Sequence, residues 1–449
     1  MHTRYRQLLG LVVLCGILIV ILGCGSKEPT PAAPTPTIAP TRTLRPTFTP
    51  SQARVVEATT LAPVVQASPP TVFPTDIVEV ISPTAPQTPT PVPTETPAPS
   101  PTRAPKSLRM SSPEYGMQAF LWWRPEVASR DLQTIRDAGF TWCKVNFGWR
   151  DIEGAGKGVF DWSRTDRIVQ QAEEVGIDLV VRVDHQPAWA GGGFPTNGPP
   201  DNPQDLADFM AALASRYRGR IRAYEVWNEP NLAREWGGKL PDPVAYVDLL
   251  RRAYRAIKGA DPSAMVISAG LSPTGTWNEV SRPDDWYLES MYVVMGSSNG
   301  VFDVVGAHGA GYKSPPERDP AEVAADPDLG GHRSLCFRRV EDLRAIMVKY
   351  GDANKQIALL EFGWTSDPRP DSPYHWHAVS EETKADYFVR AYQYAKTHWA
   401  PWIGLMSLIY ISDPDWTPDH EQYWWAITDP GWPEFKPRPA YLALKAMPK

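Results

Sequence analysis

The feature of this sequence that most limits its fold is an alternation of two patterns, repeated eight times between residue 107 and the C-terminus. Short, strongly apolar segments alternate with longer amphipathic segments. The short segments predict buried strands and the longer ones predict helices. The predicted strands are Gly116–Leu121, Thr141–Phe147, Ile177–Val183, Ile221–Trp227, Met265–Ala269, Phe302–Ala307, Gln356–Leu360 and Ile403–Ile409.

This alternation predicts a fold of the α/β class. Apolar strands that alternate with helices form a parallel sheet covered by helices. Eight repeats fit a closed (β/α)8 TIM barrel, which we expect as a single catalytic domain over residues 107–449. The alternative is a doubly wound open sheet. It is less favoured, because no glycine-rich phosphate loop follows the first predicted strand.

Residues 1–23 have the pattern of a targeting segment. Arg4 and Arg6 precede the apolar run Leu8–Gly23, which is too short to span a bilayer comfortably. The run ends in Leu-Gly-Cys at Cys24, which resembles the signal of a bacterial lipoprotein. The resemblance implies cleavage before Cys24 and attachment of lipid to its thiol. The alternative is an uncleaved membrane anchor. Both interpretations predict a protein outside the cytoplasm, attached to the bacterial cell membrane.

Residues 24–106 differ in composition from the rest of the chain. Of the 48 prolines, 20 lie between Pro29 and Pro105, whereas all 18 tryptophans follow residue 121. A segment rich in proline and threonine buries too little apolar surface to offset the entropy lost on ordering. We therefore expect a disordered linker over residues 24–106 that holds the folded domain away from the membrane.

Charge and cysteine content exclude two classes of protein. The net charge is −6 and no polybasic run is present, so we expect no nucleic acid partner. Once the leader is removed and Cys24 carries lipid, Cys143 and Cys336 remain. Two cysteines do not make a disulfide scaffold, and we expect both to be buried thiols.

Two glutamates stand where a barrel places its chemistry, at the C-terminal ends of strands. Asn228 and Glu229 follow the fourth predicted strand, and Glu361 follows the seventh. Pro230 lacks an N–H and is expected to end the fourth strand's ladder. A pair of carboxylates can divide the work of cleaving a glycosidic bond, one as proton donor and the other as nucleophile.

Several motifs resemble those of clan A glycoside hydrolases, family 39 most closely and family 5 next. Y-E-V-W-N-E-P-N resembles their strand-four signature, and I-A-L-L-E-F-G-W resembles their strand-seven nucleophile segment. V-F-D-W, P-A-W-A and K-P-R-P-A-Y match as well, and the similarity covers residues 112–449. These motifs occupy Tyr224–Asn231, Ile357–Trp364, Val159–Trp162, Pro187–Ala190 and Lys436–Tyr441.

The resemblance implies a retaining glycoside hydrolase that works by double displacement on an extracellular oligo- or polysaccharide. It assigns Glu229 as acid/base, Glu361 as nucleophile and Asn228 as a ligand of the sugar 2-hydroxyl. It implies no cofactor. Family 39 suggests β-xylosidase, iduronidase-like or exopolysaccharide hydrolase activity, and family 5 suggests β-glucanase or mannanase activity.

Histidines and aromatic residues near strand ends are further candidates for substrate binding. Relatives often carry His-x-Tyr after strand six, whereas this chain has His308 and then Tyr312. We also expect His185 in or beside the pocket. No ligand spacing supports a metal shared by His185 and His308. Indole rings stack on sugar rings; the candidates are Trp149, Trp364 and Trp424, followed by Trp122, Trp123, Trp189, Trp416 and Trp425.

Three other functions remain open from the sequence. A carbohydrate-binding lipoprotein without activity would be marked by the loss of one glutamate, and both Glu229 and Glu361 are present. A transglycosylase would use the same residues with a sugar as acceptor. An adhesion protein would explain the proline-rich stalk, which fits a tethered enzyme equally well. We expect a monomer.

Overall fold

The structure is a computed structural model, and it describes residues 107–192 and 197–449. The predicted leader (1–23), the lipidated Cys24 and the predicted linker (24–106) lie outside the described residues. In the part of the chain that is described, no helix is both long enough and apolar enough to cross a bilayer.

Eight parallel strands form one sheet in the order β5-β4-β3-β2-β1-β8-β7-β6. Strands β5 and β6 are joined by single bridges, Ile267 to Val304 and Leu271 to Ala307, which bring the two edges together. The predicted (β/α)8 TIM barrel is therefore confirmed, and the open-sheet alternative was wrong. The strands are β1 Glu114–Gln118, β2 Trp142–Asn146, β3 Asp178–Val183, β4 Ala223–Val226, β5 Met265–Ser268, β6 Val305–Ala310, β7 Ile357–Gly363 and β8 Ile403–Leu408.

Helices alternate with the strands and cover the outside of the sheet. Several begin with proline after a capping residue, as α4 does after Asn202 and α5 after Asp242, whose side chains accept backbone N–H groups. The helices are α1 Pro125–Asp137, α2 Trp149–Glu153, α3 Ser163–Val175, α4 Pro203–Arg216, α5 Pro243–Ala260, α6 Asp284–Met295, α7 Pro320–Ala325, α8 Arg339–Lys349, α9 Glu381–Tyr394, α10 Glu421–Trp425 and α11 Pro439–Ala446.

Two predicted strand boundaries were wrong in a way that matters for the site. Strand β6 runs to Ala310 rather than Ala307, so His308 lies within it. Strand β7 runs to Gly363 rather than Leu360, so Glu361 also lies within a strand. The sequence of β6, V-G-A-H-G-A, contains two glycines and has little strand propensity, which made its second half resemble a loop.

The interior of the barrel changes character along its axis. Side chains two residues apart on a strand face the same way. Trp142, Val180 and Ala223 form part of a buried apolar cluster. Two positions further along the same strands stand Lys144, Arg182 and Glu225, all buried. The apolar side chains thus fill one end of the barrel, and charged groups fill the end at which the strands stop.

Cys143 and Cys336 are free and buried, as predicted. Burial raises the pKa of both thiols, so neither is a reactive thiolate at neutral pH.

Candidate active site

The structure brings Glu229 and Glu361 to either side of one imidazole. His308 Nδ1 lies 3.1 Å from Glu229 Oε1 and 3.9 Å from Glu361 Oε2. Those two carboxylate oxygens are therefore no more than about 7 Å apart. All three side chains are buried, with exposed fractions of 4% or less. The two carboxylates predicted from separate strands thus share one site.

Neighbouring strands set the position of His308. It pairs in register with Glu361 across β6 and β7, directly after a register shift at Ala307. Such a shift redirects side chains along a strand. On the other side, Gly270 lies so close that a β-carbon there would overlap the imidazole. Gly270 O also accepts the backbone N–H of Glu229 at 3.1 Å, so one residue accommodates the histidine and holds the glutamate's backbone.

The turn that carries Glu229 has an unusual backbone. Strand β4 ends at Val226, and φ is +75° at Trp227 and +38° at Glu229. The ladder therefore ends before Pro230, and the predicted role of that proline was wrong. Among the described residues, the other non-glycine residues with positive φ are His185 and Tyr312, which follow β3 and β6. Strain of this kind is typical of functional sites, and here it is concentrated where the strands end.

Two buried cations hold Glu361. Lys144 Nζ lies 2.8 Å and Arg182 Nη1 lies 3.2 Å from Glu361 Oε1. Burial raises the pKa of Glu361, but Lys144, His308 and Arg182 outweigh it, so the pKa is lowered overall. Glu361 is therefore ionised at neutral pH, which is the state that a nucleophile requires.

The same cations connect Glu361 to its surroundings. Lys144 Nζ also lies 3.2 Å from Glu225 Oε2. Arg182 donates to Asn228 Oδ1 at 3.2 Å, and its Nε lies 3.1 Å from Asp184 Oδ2. Each carboxylate of this buried network faces a cation, so its charges are compensated without solvent. Asn228, the predicted ligand of the sugar, is oriented by Arg182.

Glu229 forms an ion pair with Arg234, whose Nη2 contacts Glu229 Oε2. Burial raises the pKa of Glu229, but the charge of Arg234 and the hydrogen bond with His308 lower it to about 2. A general acid must carry a proton. In the free protein Arg234 keeps Glu229 ionised, so Glu229 could serve as an acid only after this ion pair opens.

The chain matches the model of one protein family. Residues 106–295 match Cellulase (glycosyl hydrolase family 5). The matched segment includes Asn228 and Glu229, and it ends before β6 and β7. The match covers less than half of the chain, and it agrees with the resemblance to clan A glycoside hydrolases found in the sequence. The matching family is one of glycosidases, and the match supports the predicted enzyme class.

Solved structures share the fold of this chain. A family 39 glycoside hydrolase from Bacteroides cellulosilyticus WH2 has 20% identity and a TM-score of 0.53, with 75% of this chain and 63% of that chain covered. A monomeric β-xylosidase from Caulobacter crescentus CB15 has 18% identity and a TM-score of 0.52, with coverages of 75% and 69%. Xylanase 10B from Thermotoga maritima has 14% identity and a TM-score of 0.50, with coverages of 76% and 95%.

At these identities the likeness establishes the barrel fold. The chain spans less than two thirds of the length of the Bacteroides structure. A comparison with curated protein sequences gives no match.

The other predicted polar residues lie around the pair of glutamates. His185 follows β3 and pairs through Nδ1 with Asp184, which also accepts from Asn146. Tyr312 donates its hydroxyl to Pro273 O at 3.0 Å, and its ring stacks on Trp376. His185 thus joins the network of Arg182, whereas Tyr312 supports the loops beyond β5 and β6.

The predicted tryptophans fall into two groups. Trp149 and Trp364 are fully buried, Trp149 against Phe209 and Trp364 against Phe388. The structure therefore does not place these two where a sugar can stack on them. Trp424 is partly exposed, and its Nε1 donates to Pro418 O. Of the remaining candidates, Trp122, Trp416 and Trp425 are buried, Trp189 is partly exposed, and Trp123 is 62% exposed.

Sequence reasoning missed four charged residues of the site: Lys144, Arg182, Glu225 and Arg234. The first three interrupt apolar strands, as in V-V-R-V for Arg182. A charged residue inside a barrel strand, one or two positions before the strand ends, is a signal that was available.

The described residues contain no group of three or more His, Cys, Asp or Glu side chains able to hold a metal ion. The groups at the site, namely two carboxylates, an imidazole and compensating cations, are equipped for acid–base and nucleophilic chemistry.

Proposed function

We propose that this protein is a retaining glycosidase that cleaves an extracellular oligo- or polysaccharide, with Glu361 as nucleophile and Glu229 as acid/base. The observation that carries the proposal is the pair of carboxylates on either side of His308. Retaining enzymes hold their carboxyls about 5–5.5 Å apart and inverting enzymes about 6.5–9.5 Å. The limit of about 7 Å set by His308 favours the retaining arrangement.

In the first step the Glu361 carboxylate attacks the anomeric carbon. The bond from that carbon to the leaving oxygen breaks, and Glu229 gives its proton to the oxygen. The sugar becomes an ester of Glu361. Lys144 and Arg182 keep Glu361 ionised and aimed before the attack.

In the second step a water molecule attacks the same carbon from the opposite side. Glu229, now a carboxylate, takes the proton of the water, and the ester bond to Glu361 breaks. Two inversions give net retention, and both glutamates return to their starting states. A sugar hydroxyl in place of water would give transglycosylation by the same route.

The ion pair between Glu229 and Arg234 must open before the first step. Arg234 is 28% exposed, whereas Glu229 is buried, so the arginine is the partner that can move. Once Arg234 leaves, burial raises the pKa of Glu229 and the neighbouring negative charge adds to the effect. We infer that substrate binding separates the pair and so protonates the acid.

The proposed substrate class rests on what similar proteins are named for. The family model is named for cellulase, and the solved structures include a β-xylosidase and a xylanase. We propose a polysaccharide or oligosaccharide of glucose or xylose as substrate, or one of mannose, which the resemblance to family 5 implies. We further propose that a lipid on Cys24 holds the domain at the outer face of a bacterial membrane, with residues 24–106 as spacer.

The test is hydrolysis of aryl glycosides and of glucan, xylan and mannan by the full chain. The wild type is expected to release sugar from at least one of them. Glu361→Gln, which keeps the shape of the side chain and removes its charge, is expected to release none. Glu126→Gln, at the exposed start of α1, is the matched control. Binding of sugar without release, equal in wild type and Glu361→Gln, would contradict the proposal and favour a carbohydrate-binding protein.

A further inference from the structure

The segment between β5 and α6 presents an exposed pair of indoles, Trp277 and Trp286. Their exposed fractions are 58% and 37%. The ring centroids lie 4.6 Å apart at an interplanar angle of 75°. Adjoining exposed aromatic rings form an apolar surface of the kind that marks a binding site. None of the candidates from the sequence included this pair.

Trp277 is held in place before any ligand arrives. Arg282 Cζ lies 4.7 Å from the centroid of the Trp277 ring, and Trp286 contacts it edge to face. Arg282 is itself anchored, since Nη1 donates to Ser281 O at 3.0 Å. The guanidinium covers one face of the indole, and the ring is still more than half exposed. A flat ring with a fixed orientation loses little conformational entropy when it binds a ligand.

The aromatic pair lies at the mouth of the barrel, which is the end at which the strands stop. Its loop is joined by hydrogen bonds to the turn that carries Glu229. Ala233 N–H donates to Val280 O at 2.9 Å, and Arg282 N–H donates to Asn231 O at 2.9 Å. The Asn231 amide donates to Ser272 O, also at 2.9 Å. Asn231 is only two residues beyond Glu229.

A third exposed indole lies on the opposite side of the mouth. Trp123 follows β1, is 62% exposed, and has the Arg164 guanidinium 4.8 Å from its ring centroid. Strand β1 is four strands from β5 in the order of the sheet, and four of eight strands is half the circumference. The catalytic pair on β7 and after β4 therefore lies between the two aromatic positions.

We propose that Trp277 and Trp286 form a distal binding site for sugar units of a polysaccharide chain that crosses the mouth of the barrel. This inference rests on the proposed glycosidase function. Indole faces take up the C–H faces of sugar rings, while exposed polar neighbours such as Asn278 and Glu279 are available to the hydroxyls. A chain held on both sides of the cleaved bond is cut internally, so the site assigns endo action.

The test measures binding as a function of chain length by calorimetry. The protein is the full chain with Glu361→Gln, and the probes are the two-unit and six-unit sugars of each of the cello-, xylo- and manno-series. The six-unit sugar is expected to bind more tightly. Trp277→Ala in the same background is expected to weaken its binding about tenfold, relative to the two-unit sugar.

Two further variants separate a binding role from a structural one. Trp277→Phe keeps an aromatic face and is expected to retain most of the preference for the longer sugar. Val293→Ala, at a 67% exposed position of α6 two turns beyond Trp286, is the matched control and is expected to retain all of it.

Equal affinity for both lengths, or an unchanged preference in both Trp277→Ala and Trp286→Ala, would overturn the proposal. So would loss of self-association in these variants without an effect on sugar binding, which would assign the face to a second copy of the chain. Failure of the glycosidase proposal gives a different result: hydrolysis is absent, or persists in Glu361→Gln, while the dependence of binding on length is still measured.

Discussion

Replacing Arg234 with glutamine tests how the free protein keeps its acid ionised. Arg234 and His308 together lower the pKa of Glu229 from 4.5 to about 2 despite burial. At 1.36 kcal/mol per pKa unit this difference corresponds to about 3 kcal/mol. Because the folded-state pKa is lowered, this stabilisation is present above pH 4.5 and is lost as the pH falls through about 2.

In Arg234→Gln the burial of Glu229 remains and most of the compensating charge is gone. The pKa of Glu229 is then raised, and the folded protein loses stability as the pH rises. We expect the variant to be less stable than the wild type at pH 7 by about 3 kcal/mol or more, with the gap narrowing toward pH 3. The assay is urea unfolding of both proteins across this range of pH.

The matched control is Arg318→Gln, which removes an exposed ion pair with Glu322. Exposed pairs contribute about 1 kcal/mol or less, so this variant is expected to unfold nearly as the wild type does. A difference in stability between wild type and Arg234→Gln that is the same at pH 3 and pH 7 would refute the reasoning. In that case Arg234 would act through packing rather than through the charge of Glu229.

Three further predictions concern the buried charges. Lys144→Met removes a cation 2.8 Å from Glu361, so the pKa of Glu361 is expected to rise. The acid limb of the pH profile of kcat/KM, measured on an aryl glycoside, then moves to higher pH. An acid limb at the wild-type pH would contradict the role assigned to Lys144. Glu229→Ala is expected to lose turnover of an activated aryl glycoside and to regain it with azide, which needs no general base; no rescue would remove Glu229 from the second step. Burial lowers the pKa of Lys384 to about 7. Between pH 7 and 10 the unfolded chain therefore binds more protons at this lysine than the folded protein does, and the stability of the wild type relative to Lys384→Met should rise with pH. The same pH dependence of stability in both proteins would exclude this titration.

The repeat pattern was sufficient to predict the barrel, because buried parallel strands and amphipathic helices leave different periodicities in a sequence. It did not define where β6 and β7 end. A strand that is buried on both faces does not alternate between apolar and polar residues, so its end leaves no change in such a pattern. The glycines of β6 also resemble a turn. The consequence was that His308 and Glu361 were expected after their strands, whereas both lie within them.

The site was predicted in part, for a physical reason. Glu229, Glu361, Asn228 and His308 belong to local motifs, so the sequence alone points to them. The contacts of Lys144 with Glu361 span 217 residues, and only the closed barrel brings such residues together. The tryptophans were easy to list but not to place. The sequence around a tryptophan does not show whether its ring is buried, as in Trp149 and Trp364, or exposed.

The measurement that tests the central claim most directly is capture of the covalent intermediate. The full chain is treated with an activated 2-deoxy-2-fluoro glycoside of the sugar that it hydrolyses. The fluorine slows both steps, and the activated leaving group restores the rate of the first, so the intermediate accumulates. The account predicts that mass spectrometry finds one added sugar on the peptide that contains Glu361, and none in Glu361→Gln. No added mass, together with a product of inverted configuration, would contradict it.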